Sequence, residues 1–149
     1  AICGAAMESG LFRFVWIGML DEQKLAVIPV AYAGLEEGYL SGKLNILLDD
    51  ERTGNGPSGR AIRDGTHAVC QDIEHDSSMA PWRDEALKRG YRASAAFSIR
   101  ETGGEAGGIN VYASETHFFT PDIIQLMLEL ATGTITVRSR GEERILWRR

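Results

Sequence analysis

At 149 residues, 44% hydrophobic and 25% charged, the chain has the size and composition of one ordinary globular domain. Its formal net charge of −5 excludes general affinity for nucleic acid, whose phosphates demand a positive surface. The apolar run at 25–32 is far short of the roughly 20 residues that span a bilayer, and no basic, apolar leader opens the sequence, so a cytoplasmic domain away from membranes is expected.

Residues 1–9 have helix-forming composition, with Ile2, Cys3, Ala5 and Ala6 near helical spacing and Gly10 as the exit, which predicts the tail of a helix. Phe12–Leu20 and Leu25–Ala33 are rich in aromatic and β-branched residues and predict an antiparallel hairpin turning at Asp21-Glu22-Gln23. Both strands are apolar on both faces, so their sheet should be covered on each side. Pro29 marks an edge position or a bulge. Residues 34–52 are mixed and read as a connection or partial strand.

Gly54, Gly56 and Gly59 form a G-x-G-x-x-G, but the buried strand before it and the long helix after it that dinucleotide binding needs are missing, as is the Lys-Ser/Thr pair of a phosphate-binding loop. The glycines therefore read as a tight helix entrance. Pro57 opens a short helix that Gly65 closes, Thr66–Asp72 is a strand, and Pro81 opens a second helix that Gly90 closes. In that second helix Asp84 with Lys88 and Glu85 with Arg89 are acid-to-base pairs four apart, while Trp82 and Ala86 share the packed face. Tyr91–Ile99 and Gly108–Ala113 predict a second hairpin around the glycine-rich segment 101–107.

Thr120-Pro121-Asp122 starts the final helix with a cap, a proline in the first turn and an acid near the positive dipole end. Ile124, Met127, Leu128, Ala131 and Ile135 form one apolar stripe on it; Ile123, Leu126, Leu130 and Val137 form an adjacent second one. The second stripe is either extra core or an interface with a second subunit. Beyond it, Arg138, Arg140, Arg144, Arg148 and Arg149 outnumber Glu142 and Glu143, the pattern of a solvated helical linker face.

Potential chemistry concentrates between Cys70 and Trp82. Cys70, Asp72, Glu74, His75 and Asp76 are metal-donor types, yet no C-x-x-C or H-x-x-x-H pair is present, and strand alternation puts His67 and Cys70 on opposite faces, so no metal is expected. Two cysteines, Cys3 and Cys70, are too few for a disulfide scaffold and should be reduced. Cys70 as a nucleophile would need a neighbouring base such as His67 or His75 and a depressed pKa, and a lone cysteine in an apolar strand is ordinarily inert. His117, before Phe118-Phe119, reads as a loop residue. With no carboxylate pair, serine triad or hydrolase elbow in view, the chain is expected not to be an enzyme.

The order of elements, and the stretches FRFVWIGMLDE, GPSGRAIRDGTHAVCQDIEHD, APWRDEALKRGYRASAAFSIRETGG and INVYASETHFFTPDIIQLMLELA, resemble the GAF domain, a relative of the PAS domain. The resemblance runs from about Ala5 to Val137 and is to the GAF domains of bacterial signalling proteins, beside PAS, diguanylate cyclase, phosphodiesterase or histidine kinase domains. It implies an α+β fold, a central antiparallel sheet of about five or six strands with helices on both faces. It implies one domain at 1–137, with 138–149 a linker or helical extension toward a missing output domain. In ligand-binding members the pocket lies between one sheet face and the segment matching Cys70–Ala86. By that likeness the small-molecule site should involve Cys70, Asp72, Ile73, His75, Trp82, Ala86, Tyr91 and Ala95, with Asp72 or His75 supplying polarity and Trp82 an apolar wall.

Asp72-Ile73-Glu74 is similar to the Asp-Ile-Pro of bilin-binding members, but Glu74 replaces the proline and no cysteine follows in the helix. The Asn-Lys-Phe-Asp-Glu pattern of cyclic-nucleotide-binding members and the cysteine set of the methionine sulfoxide reductases of this fold are missing, so the ligand or cofactor is unknown. The resemblance implies a non-catalytic sensory or regulatory module that relays through its terminal helices, with Ile123, Leu126, Leu130 and Val137 at a homodimer interface. The alternatives are a dimerisation and relay module with no ligand, or a thiol-dependent reductase using Cys70.

Overall fold

The computed structural model describes residues 2–41, 45–100, 104–132 and 144–145. In chain order these form α1 (Ile2–Glu8), β1 (Phe14–Asp21), β2 (Ala26–Gly34), α2 (Pro57–Asp64), β3 (His67–Cys70), a 3₁₀ turn (Ser77–Met79), α3 (Arg83–Lys88), β4 (Ala93–Arg100), β5 (Ala106–Ala113), α4 (Pro121–Ala131) and β6 (Arg144–Ile145). The strands make one sheet in the order β3-β4-β5-β1-β2-β6, with every pairing antiparallel. The fold class is therefore α+β, as expected.

The hairpin β1–β2 turns one residue later than expected. Asp21 Oδ1 accepts from the N–H groups of Gln23 and Lys24 at 3.1 and 3.3 Å, and Leu25, at φ 52°, still belongs to the turn. Beside Pro29 the register slips, Ile17 pairing with Ala31 and Gly18 with Pro29, so the proline sits at a bulge, which accommodates its missing donor. In the connection, Ile46 and Leu48 hydrogen-bond to Val27 and Leu25, which makes it a partial strand.

The glycine-rich stretch is a packing device. A Cβ on Gly56 would stand 2.5 Å from the Trp82 ring, and one on Gly59 would collide with the Gly54 backbone, so these glycines let α2 start flush against both. Pro57 occupies the first turn and Gly65, left-handed at φ 67°, closes the helix by donating to the Ala61 carbonyl.

Strand β3 is shorter than expected because Asp72 starts a turn, its carbonyl accepting from Asp76 N–H at 2.9 Å. The helix predicted from Pro81 to Arg89 is reduced to α3, since Pro81 and Trp82 complete the 3₁₀ turn that Asp76 caps through Ser78 N–H. Glu85 binds both Lys88 (3.2 Å) and Arg89 (2.8 Å), so Lys88 pairs with Glu85 in place of the expected Asp84. Thr120 caps α4 as predicted, its Oγ1 accepting from Ile123 N–H.

Two hydrophobic clusters cover the two sheet faces. Alternation in β1 sends Val15 and Met19 to one, with α1, α4 and Phe119, and Phe14 and Trp16 to the other, with Ile62 of α2, Met79, Trp82 and Ala86. The two-sided apolar strands are thereby explained. Leu130, assigned to an outward stripe, is 7% exposed in the first cluster with Met127: Ile123, Met127 and Leu130 are spaced four and three apart, so the line facing the sheet runs between the two predicted stripes. Leu126 is half-buried and outside both clusters. Val137 and Ile135 lie outside the described residues, as does most of the expected linker, within which Arg144–Ile145 pair with Ala31 and Tyr32 of β2. No helix among the described residues is long and apolar enough to cross a membrane.

Candidate functional site

On the α2–α3 side, the even-numbered positions of β1, β4 and β5 meet the helices across a layer of aromatic rings. Tyr91 stacks on Phe14 (5.6 Å between centroids) and leans on Tyr112 (4.8 Å), while Tyr39 meets Tyr112 edge-on at 5.6 Å. Trp16 Nε1 donates to the Tyr112 hydroxyl at 2.9 Å, and the Tyr91 hydroxyl donates to the Leu35 carbonyl. Burial pushes the Tyr112 phenol up to about 12 and Tyr39 well above its ordinary value, so both are neutral.

Within this layer lies a cavity of about 20 Å³, room for one water. Trp16, Tyr39, Ile46, Pro57, Met79, Trp82 and Tyr112 supply its apolar walls; Ser58, Ser94 and Asn110, each buried, supply polarity. Asn110 Nδ2 donates to the carbonyls of Trp16 (3.4 Å) and Gly108 (3.3 Å), and Ser94 Oγ contacts Met79 Sδ at 3.9 Å. Ser58 Oγ and Trp82 Nε1 are buried with no hydrogen-bond partner among the described residues. Buried polar groups are ordinarily satisfied, so two orphans on the wall of one cavity mark where something else can bind.

Of the residues expected at the site, Trp82 and Ala95 border this cavity. Cys70, Ile73, Ala86 and Tyr91 are fully buried in the same cluster but do not line it. Ala95 borders the cavity although alternation places its side chain in the cluster of the opposite face; its neighbour Ser94 is the β4 side chain on this one. Asp72 and His75 do not supply the polarity either. They form a surface pair at 2.8 Å, with the His75 side chain 73% exposed; the mutual hydrogen bond lowers the Asp72 pKa and raises that of His75. Glu74 stands beside them and pairs with Arg92 at 3.6 Å. Ser58, Ser94 and Asn110 escaped the sequence reading, although a polar residue at an inward position of an apolar strand, as in GINVYA, was the available signal.

Cys70 is a fully buried thiol that donates to the Asp76 carboxylate; burial, with Asp76 behind it, pushes it up to about 12. His67 stacks on Phe97 on the other face, and Cys3 belongs to the other cluster, so neither stands beside Cys70. A larger, open groove of about 750 Å³ runs past Met7, Arg13 and Leu35 at the far end of β2. Of its polar groups, Arg13 Nε donates to the Arg89 carbonyl at 2.7 Å and the Leu35 carbonyl accepts from the Tyr91 hydroxyl.

Known structures share the architecture. The chain is similar to the GAF domain region of a Geobacter sulfurreducens PCA protein (18% identity, covering 89% of this chain and 84% of that one, TM-score 0.66). It is similar to the type II free methionine-R-sulfoxide reductase of Thermoplasma acidophilum (15%, 87% and 81%, TM-score 0.65) and to the GAF domain of a Coxiella burnetii phosphoenolpyruvate-protein phosphotransferase (19%, 80% and 67%, TM-score 0.62). None of the curated proteins matches. The expectation that the chain is not an enzyme is overturned as an inference from family, because free methionine-R-sulfoxide reductases recur among these neighbours and the fold carries catalysis as well as sensing. The GAF domain family model matches residues 1–135. Nearly the whole chain is thus accounted for by one family, and it belongs to the GAF domains.

Proposed function

We propose that this GAF domain is a sensory or regulatory module that binds a small ligand between the sheet and the segment carrying α2, the 3₁₀ turn and α3. The observation that carries the reading is the cavity walled by Trp82 and Ser58, whose buried Nε1 and Oγ have no partner among the described residues. A ligand that satisfies them gains hydrogen bonds that the empty domain forgoes, and that differential is what biases a conformational equilibrium. The effect passes to α1 and α4, which pack together on the other face, and on to a covalently linked output domain such as a cyclase, phosphodiesterase or kinase. Of the expected interface residues, Leu126, half-buried and outside both clusters, is the one available to a second subunit there.

The cavity's size favours a second reading, a relay domain whose pocket is closed. Native mass spectrometry of freshly purified protein separates the two: a retained small molecule that dissociates on replacement of Trp82 supports the ligand reading, and a bare polypeptide mass in every preparation supports the relay.

A further inference from the structure

The unmet hydrogen bonds identify a chemistry for the ligand, an inference that rests on the ligand-site reading above. An indole N–H only donates, so the vacancy beside Trp82 Nε1 is a vacancy for an acceptor. Ser58 lies one residue after Pro57 in the first turn of α2, where backbone N–H groups have no intrahelical acceptor, and the N-cap, Gly56, has no side chain to satisfy them. The hydroxyl of Ser58, on the wall of the same cavity, can donate as well. The start of α2 is therefore a donor-rich corner, and both of its orphaned side chains are more than nine-tenths buried.

The rest of the wall limits what carries the acceptor. None of the lining residues bears a formal charge, and the Tyr112 phenol stays neutral. A full charge buried here would lose its hydration and meet only the partial positive end of the eight-residue α2, with no formal counter-ion on the wall. The indoles of Trp16 and Trp82 and the rings of Tyr39 and Tyr112 offer flat apolar surfaces instead. About 20 Å³ holds the acceptor alone, so the body of the ligand enters only as wall side chains give way.

We infer that the ligand is an uncharged, flat and largely apolar molecule that presents one hydrogen-bond acceptor, a carbonyl oxygen or an aromatic ring nitrogen, to Ser58 Oγ–H and Trp82 Nε1–H. Anionic and zwitterionic metabolites are excluded from this corner.

The test titrates the intact domain at neutral pH with pyridine, benzene and acetate, matched as neutral acceptor, neutral non-acceptor and anion. The readout is the indole N–H resonance of Trp82 in proton–nitrogen NMR spectra, assigned by its loss in Trp82→Phe. The expected result is a saturable downfield shift with pyridine, affinity on the order of tenfold above benzene, and collapse of that advantage in Ser58→Ala. Equal binding of pyridine and benzene would leave a ligand site and overturn the acceptor. Preferential binding of acetate would overturn the uncharged class. If no probe moves the resonance, the cavity is a water site and the ligand-site reading falls as well.

Discussion

The two faces of the sheet are built from the same strands and differ in what they leave unsatisfied. Under α1 and α4 the buried side chains are Val15, Met19, Phe97, Ile109, Val111, Met127 and others without a polar atom that needs a partner. Under α2 and α3 the layer is aromatic and studded with hydroxyl, amide and indole groups, and both orphaned cavity donors sit there. A dry face gains stability from every contact and has one way to pack; a face with unmet hydrogen bonds holds free energy that a bound molecule can collect. The division of labour between scaffold and site is thus a property of sheet alternation.

The largest test of that comparison is on the dry face. Met127→Ala should cost about 2–5 kcal/mol of unfolding free energy, as buried truncations do, and leave the Trp82 indole resonance where it is. A shift at Trp82 would mean the faces are not separate.

Next come the two indoles of the aromatic face. Trp16→Phe removes ring volume and the hydrogen bond to the Tyr112 hydroxyl, leaving that hydroxyl with Tyr39, and should cost about 1–3 kcal/mol, whereas Trp82→Phe removes similar volume with a donor that has no partner among the described residues and should cost less. Equal losses in urea unfolding would show that Trp82 Nε1 is satisfied and the cavity contrast false.

Cys70 probes the same face chemically. With its thiol pushed up to about 12, the thiolate fraction at pH 8 is negligible, and iodoacetamide should modify it only as fast as the domain opens. Rapid labelling of the native protein would break the picture of a sealed aromatic layer.

The smallest effect lies at the surface, outside both faces. A raised His75 contributes below its unfolded pKa and fades as pH rises through the folded one; a lowered Asp72 contributes above its unfolded pKa and fades as pH falls through the folded one. The Tm difference between wild type and His75→Ala should therefore peak between roughly pH 4 and pH 6.5 and be slight, because the pair is exposed. A difference that keeps growing above that window would point to another group.

Much of the fold was legible because its signals are local. The prolines and glycines that bracket α2, the Thr120 cap of α4 and the apolar run at 12–20 act within a few residues, so these elements and their order followed from the chain read alone, whereas the 3₁₀ turn and β6 did not. Two-sided apolar strands sufficed to call for helices on both faces. The length of α3 was less legible, because Pro81 and Trp82 are compatible with either a helix start or the end of a 3₁₀ turn, and the hydrogen bond from Trp82 N–H to the Met79 carbonyl decided it.

What the sequence by itself determined is the alternation of each strand, the capping of each main helix and the GAF resemblance. The site was decided only by the tertiary structure. Ser58, Ser94 and Asn110 come from a helix and two strands, and no local rule states which residue lies opposite which across a sheet and a helix layer. Register placed Ser94 opposite Tyr112, and Asn110 against Trp16, with side chains on the face that α2 covers. The same register turned Ala95 to the other side, and the seat of α4 on the sheet drew Leu130 inward. Alternation is a property of one strand, while a cavity is a property of how several meet.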